Sequence, residues 1–205
     1  MSVDPQATTW GALSLEMSTC TACRLAESRT NVVPGVAPAG ARVLLIGEAP
    51  GRSEDEGGLP FVGRSGQLLD QVLAEVGLDR AELAVANTVK CRPPENRTPT
   101  RAEQTTCRPW LDAQVRALQP AVIVTLGSTA MAWALGPFRG RAPRLVDVHG
   151  TVHQLHGRPV VPTYHPSAAI RFGPAGAPLQ ALRADLRLVA DLAAGRQHTA
   201  GPAAS

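Results

Sequence analysis

A carboxylate, an amide, an imidazole and an aromatic ring stand at four breaks in the apolar pattern of this chain. Glu48 follows the run Val43 to Ile46 and sits in the turn Gly47-Glu48-Ala49-Pro50-Gly51, which neither a strand nor a helix could continue through. A carboxylate there could hold a water or counter positive charge growing on a substrate, although a plain surface turn would read the same way. Asn87 lies near the end of LAVANTV at 83–89. Its amide carries a donor and an acceptor side by side, which suits the imide edge of a base; satisfying backbone groups at a strand end is the plainer role. His165 ends the run Val160 to Tyr164, just before Pro166 and Ser167. Phe61, in Pro60-Phe61-Val62-Gly63 of a chain with only 3% aromatics, is a candidate stacking platform or a core residue. His149, His153, His156 and His198 read as structural or exposed.

Four cysteines form a second group: Cys20 and Cys23 as C-x-x-C, with Cys91 and Cys107 far downstream. No apolar run approaches the roughly 20 residues of a membrane span, and the N-terminus lacks the features of a signal peptide. A cytoplasmic location is therefore expected, and disulfides are rare there. The set reads as a metal or cluster site, with zinc or a four-iron cluster as the occupant. The wide gap between Cys91 and Cys107 departs from the close second pair of most zinc sites and leans toward iron and sulfur. Lys90, the sole lysine, stands with Arg92 and Arg97 in a proline-stiffened loop suited to phosphate contact, or else to simple solvation. Ser128, after Gly127, is expected to cap a helix whose start could receive a phosphate. The net charge of +3 permits a polyanionic partner without requiring one.

The elements that must carry these residues follow from periodicity. Strands are expected at 42–46, 83–89, 121–126 and 160–164. Helices are expected from Trp10 toward Cys20, over 66–76 with Ser65 as cap, over 101–118, after Gly127, and over 179–194. Residues 52–58 read as a polar loop and 139–157 as a loop with a hairpin. Residues 1–9 and 195–205 read as disordered ends of one domain at 10–194, with 205 residues ample for a core. Strands alternating with helices give an α/β fold, a three-layer sandwich around a mainly parallel four-stranded sheet. Ligands of such sheets bind beyond the carboxyl ends of the strands, and Glu48, Asn87, Ser128 and His165 all fall there.

Taken in order, C-T-A-C at 20–23, G-E-A-P-G at 47–51, G-L-P-F-V-G at 58–63, N-T-V-K-C-R-P-P at 87–94, C-R-P-W at 107–110, L-G-S-T-A at 126–130 and H-P-S at 165–167 resemble the family-4 uracil-DNA glycosylases. The resemblance spans Cys20 to about Leu192. It implies removal of uracil from DNA after the nucleotide is flipped from the stack. By that likeness Phe61 stacks on uracil, Asn87 reads its pairing edge with Gly47 and Ser128 alongside, and His165 stabilises the departing base. Glu48, with the Ala49 backbone, positions the water. Lys90, Arg92, Arg97, Ser167 and Ile170 contact DNA, and Cys20, Cys23, Cys91 and Cys107 hold a 4Fe-4S cluster. A monomer without membrane association is expected.

Two departures carry expectations. The short loop Glu95 to Pro99 holds no histidine, unlike a related branch that traps DNA covalently, so ordinary turnover is expected. Ala168-Ala169 stand where a bulky wedge is common, leaving Ile170 as the nearest candidate. A weak wedge predicts preference for single-stranded or mismatched uracil, since unstacking costs a few kcal/mol.

Overall fold

The computed structural model describes residues 9–136 and 143–196. The expectations for residues 1–8, for His198 and for most of the tail lie outside those residues. Gly195 and Arg196, expected to belong to a disordered end, instead form the turn just after the last helix, with the Arg196 amide donating to Asp191 O.

In chain order the elements are α1 (Trp10–Met17), β1 (Val43–Gly47), α2 (Arg52–Gly57), α3 (Arg64–Glu75), β2 (Ala84–Asn87), α4 (Arg101–Leu118), β3 (Val122–Leu126) and α5 (Ser128–Leu135). There follow α6 (Leu145–Val148), β4 (His153–Leu155), β5 (Arg158–Thr163), α7 (Pro166–Phe172) and α8 (Ala177–Ala193). The sheet runs β2-β1-β3-β5-β4; the first four are parallel and β4 is antiparallel to β5. The α/β sandwich therefore has five strands where four were expected. The fifth is the first arm of the hairpin, whose two-residue turn at His156-Gly157 has both φ angles positive (49° and 76°), the twist that hairpins favour.

Side-chain alternation along β1 sends Val43 and Leu45 to one face and Leu44 and Ile46 to the other. The first face packs against Leu69, Val72 and Leu73 of α3 and Leu182, Leu186 and Val189 of α8. The second meets Leu111 and Val115 of α4 and Ala130 and Trp133 of α5. With both faces covered, the middle strands can be apolar throughout; β1 is, and β3 departs from this only at the buried Thr125.

Helix starts differ from expectation in an informative way. Gly63 and Gly127, not Ser65 and Ser128, occupy the cap positions of α3 and α5. Residues 52–58, read as a loop, hold α2, and the segment after His165 is α7, with Pro166 at its first position. Among the described residues no helix is long and apolar enough to cross a membrane.

The start of α4 is fixed by a reciprocal cap. Thr100 Oγ1 accepts the Glu103 amide at 3.2 Å, and Glu103 accepts the Thr100 amide at 2.7 Å while pairing with both Arg97 terminal nitrogens at 2.7 and 2.9 Å. The Arg97 hydrogen bonds hold the Glu103 carboxyl down to about 2, against the opposing pull of burial. A depressed carboxyl contributes stability above its unfolded pKa and loses it as pH falls through the folded one. Glu103→Gln is expected to cost about 1 kcal/mol in urea unfolding at pH 7. That difference should shrink between pH 4.5 and about 2.

Candidate active site

The carboxyl ends of β1, β3 and β5 open on one cleft of roughly 700 Å³, lined by Glu48, Ala49, Arg97, Ser128, His165 and Ser167 among others; Asn87 and Phe61 are buried behind it and do not line it. The register pairs Gly47 with Asn87, so the turn after β1 and the end of β2 lie side by side. Thr88 clamps the two ends together: its hydroxyl donates to Glu48 O at 2.6 Å and its amide to Gly47 O at 3.0 Å. The Glu48 carboxylate is held from the opposite side by Thr129 at the start of α5, whose Oγ1 donates to Oε2 at 2.5 Å. The second oxygen, Oε1, makes no hydrogen bond among the described residues.

Gly47 has no side chain to spare room for. A Cβ there would stand 2.4 Å from Asn87 Oδ1 and 2.6 Å from Phe61 Cζ. Amide and ring therefore converge over its bare backbone. Asn87 is 2% exposed, and its Oδ1 is buried without a hydrogen-bond partner. Such an orphan costs on the order of 1–3 kcal/mol unless a ligand satisfies it. Phe61 is also buried and adopts a left-handed backbone (φ 55°), which costs a bulky residue about 1–3 kcal/mol. Gly66 makes this possible, because a Cβ there would lie 1.7 Å from Phe61 O. The Phe61 ring ends 5.7 Å from that of His165, centroid to centroid.

The His165 tautomer follows from its bonds. Nδ1 accepts the Ser167 amide at 3.1 Å, so the proton of the neutral ring sits on Nε2. Ser167 Oγ lies 2.8 Å from the same nitrogen. Burial pushes the imidazole down to about 4, against a smaller upward pull from the Glu54 charge. At neutral pH the ring is thus an uncharged donor through Nε2.

The remaining expectations divide. Lys90 does not reach a surface: it is 2% exposed, and its Nζ donates to Asn87 O at 2.8 Å and to Gln114 Oε1 at 2.6 Å. Its expected DNA contact is corrected, because those two internal acceptors compensate a buried ammonium. Burial pushes it down to about 8, with Cys107 and Cys91 pulling the other way. Arg92 bonds Asn96 on the surface, and Arg97 borders the cleft while paired to Glu103. Ile170 is half-buried on α7 and does not line the cleft; the exposed apolar residue of that helix is Phe172, at 65%. His149, expected to be structural, pairs with the buried Asp185 at 3.2 Å.

Cys20, Cys23, Cys91 and Cys107 all line one small cavity closed by Met17, Val32 and Trp110. Among the described residues no three or more His, Cys, Asp or Glu side chains are gathered as they would be around a metal ion. Arg29 Nη1 lies 3.3 Å from Cys91 Sγ, so cationic groups stand ready for a negatively charged thiolate assembly. Burial pushes the Cys107 thiol up to about 12 and raises that of Cys91. A metal must displace those protons to bind.

Residues 34–187 match the uracil DNA glycosylase superfamily. Type-4 uracil-DNA glycosylase of Thermotoga maritima is 44% identical over 160 residues, covering 78% of this chain and 82% of the relative. The chain belongs to the uracil-DNA glycosylase superfamily. The type-4 enzyme of Sulfurisphaera tokodaii is 40% identical, covering 76% and 73% of the two chains. A type-5 uracil-DNA glycosylase of Mycobacterium leprae is 33% identical, covering 76% and 83%. Within this superfamily member, sequence reasoning overlooked Thr129, Thr88 and Glu54. Thr129 lies inside a quoted motif, but its reach to Glu48 across 81 residues leaves no local trace.

The convergence over Gly47 can be checked directly. Gly47→Ala is expected to destabilise the fold by about 1–3 kcal/mol in urea unfolding, the usual cost of overpacking. Phe61 and Asn87 should move apart in a structure of the variant.

Proposed function

We infer that this protein is a type-4 uracil-DNA glycosylase, and the observation that carries the reading is the orphaned Asn87 amide oxygen beneath Phe61. Uracil presents an N–H between two carbonyls. Asn87 Oδ1 accepts that N–H and its Nδ2 donates to O4, whereas cytosine offers an amine and a bare ring nitrogen at the same places. The bare Gly47 lets the base edge approach the backbone, and Phe61 covers its face.

The deoxyuridine is extruded into the cleft before reaction. As the bond between C1′ and N1 breaks, its electron pair passes to the uracil ring. His165 Nε2–H donates to a uracil carbonyl and stabilises that negative charge without giving up its proton. Glu48, steadied by Thr129, holds a water beside C1′ together with the Ala49 backbone, and accepts a proton as the water adds. The uracil anion then takes a proton from solvent, Glu48 returns its proton to solvent, and free uracil and an abasic sugar result. Arg92, Arg97 and Ser167 are placed to position the phosphates, and Ser128 adds an amide at the start of α5. Ile170, half-buried, is a weak wedge for the flip.

We assign the four cysteines to a 4Fe-4S cluster. The 16-residue separation of Cys91 and Cys107 departs from the close second pair of most zinc sites, and the type-4 likeness supports an iron–sulfur centre over zinc. Cys20 and Cys23 after α1, Cys91 in the loop after β2 and Cys107 in α4 would hold it, and a centre there would tie those segments together and supply no step of the reaction.

An oligonucleotide assay tests the activity: release of uracil and alkali-labile strand breaks are expected, faster on single-stranded and G·U substrates than on A·U. Asn87→Ala should abolish activity and Glu48→Ala should lower kcat by 10²-fold or more at little cost in binding, on the order of a lost general base. Equal activity in both variants overturns the assignment. Because His165 works as a neutral donor, its acid limb should fall near pH 4 and not near 6.5. For the cofactor, iron and sulfide analysis should find about four of each per chain, with broad visible absorption. One zinc per chain and a colourless protein would overturn that assignment.

A further inference from the structure

Glu54, the third residue of α2, joins two turns through its two carboxylate oxygens. Its Oε2 accepts the Gly51 amide at 3.1 Å, and its Oε1 accepts the Gly63 amide at 2.8 Å. Gly51 closes the turn that holds Glu48 and Ala49. Gly63 closes the turn that holds Phe61. The first bond is what a helix of this kind needs at its start; the second, nine residues further along, is not required for capping.

Both partners are glycines, which leaves the carboxylate close to their backbone. A Cβ on Gly51 would lie 2.7 Å from Glu54 Oε2, and one on Gly63 would lie 3.2 Å from Oε1. Between the clamped points stands Phe61 in its left-handed conformation, held on its other side by Arg80, whose Nη2 donates to Pro60 O at 3.1 Å. A strained backbone persists only where its surroundings over-determine it. Glu54 and Arg80 are the two side chains that do so from either end of this turn.

We propose that Glu54 is a positioning residue for the glycosylase reaction: its carboxylate sets the stacking ring against the water-holding turn. The inference rests on the glycosylase reading and extends it. Glu54 touches neither base nor water; it acts through Phe61 and through the Gly47 to Gly51 turn. Loss of either hydrogen bond lets the ring and the carboxylate of Glu48 drift relative to each other. Phosphate contacts, which set affinity for the DNA backbone, are left alone.

Glu54→Gln tests this, since it keeps the volume and one carbonyl acceptor but cannot accept both amides. In single-turnover and steady-state assays on a uracil oligonucleotide, kcat should fall at least tenfold while KM changes less than threefold. Inhibition by free uracil, which reports the stacked base alone, should weaken by a similar factor. Glu54→Asp, with two acceptors on a shorter arm, should recover part of the loss. Melting curves of both variants should stay close to the parent. Wild-type kcat and uracil inhibition in Glu54→Gln would overturn the proposal, as would a loss matched fully by a drop in melting temperature with no partial rescue by Glu54→Asp. Absence of uracil release by the parent protein would instead overturn the glycosylase reading.

Discussion

The hydrogen-bonded register between β1 and β2 is the constraint on which the cleft depends, because it sets Gly47 opposite Asn87. A shift of one residue would turn Asn87 to the opposite face of the sheet and bring a side chain to the place now kept bare. Because β1 is close-packed on both faces, such a slip would be costly: every core residue of the strand would have to repack on the other side. A packing preference far from any ligand thereby secures the geometry of a recognition amide. Thr88 locks the same register at the strand ends, where the ladder would otherwise fray.

Behind that amide lies the second organised region of the molecule. Asn87 is followed by Thr88, Val89, Lys90 and Cys91, all buried, so the segment leading from the cleft to the cysteine cavity runs through the interior. Lys90 ties its beginning to α4 through Gln114, and Gln114 in turn donates to Pro34 O at 2.8 Å. Asp55 reaches the N-terminal segment from the other direction, accepting the Thr30 amide at 2.9 Å. A centre bound to the cysteines would stiffen the support of Asn87 without approaching the base. The cleft and the cysteine cavity are thus mechanically continuous and chemically separate.

Strand ends, the long helices and the four residues at the rim could be read from the sequence because each depends on local periodicity and on breaks in it. Helix α4 matches its expected bounds, and the inward residues of α8 are those that the helical spacing picks out. What escaped has a common cause. Lys90 was expected at the surface because charge normally is; its two acceptors, one of them 24 residues away, are visible only after folding. Helix α2 has one and a half turns between glycines, too short for a periodic signal. Ser65 and Ser128 look like caps by residue type, yet the chain turns into α3 and α5 one or two residues earlier, at glycines. The fifth strand has only three residues and pairs solely through a hairpin. Pro166 did carry a usable sign of α7, since proline is favoured at the first position of a helix.

Sealing the only lysine inside the fold has a chemical corollary. Breaking a DNA strand at an abasic sugar by β-elimination begins with a primary amine adding to the C1′ aldehyde to form an imine. No lysine amine faces the cleft: Lys90 is 2% exposed and its Nζ is engaged by two internal oxygens. Arginine, which supplies the rest of the basic character, is too weakly nucleophilic while protonated to stand in. Lys90 is therefore not a source of that imine, and β-elimination through a lysine is closed to this chain.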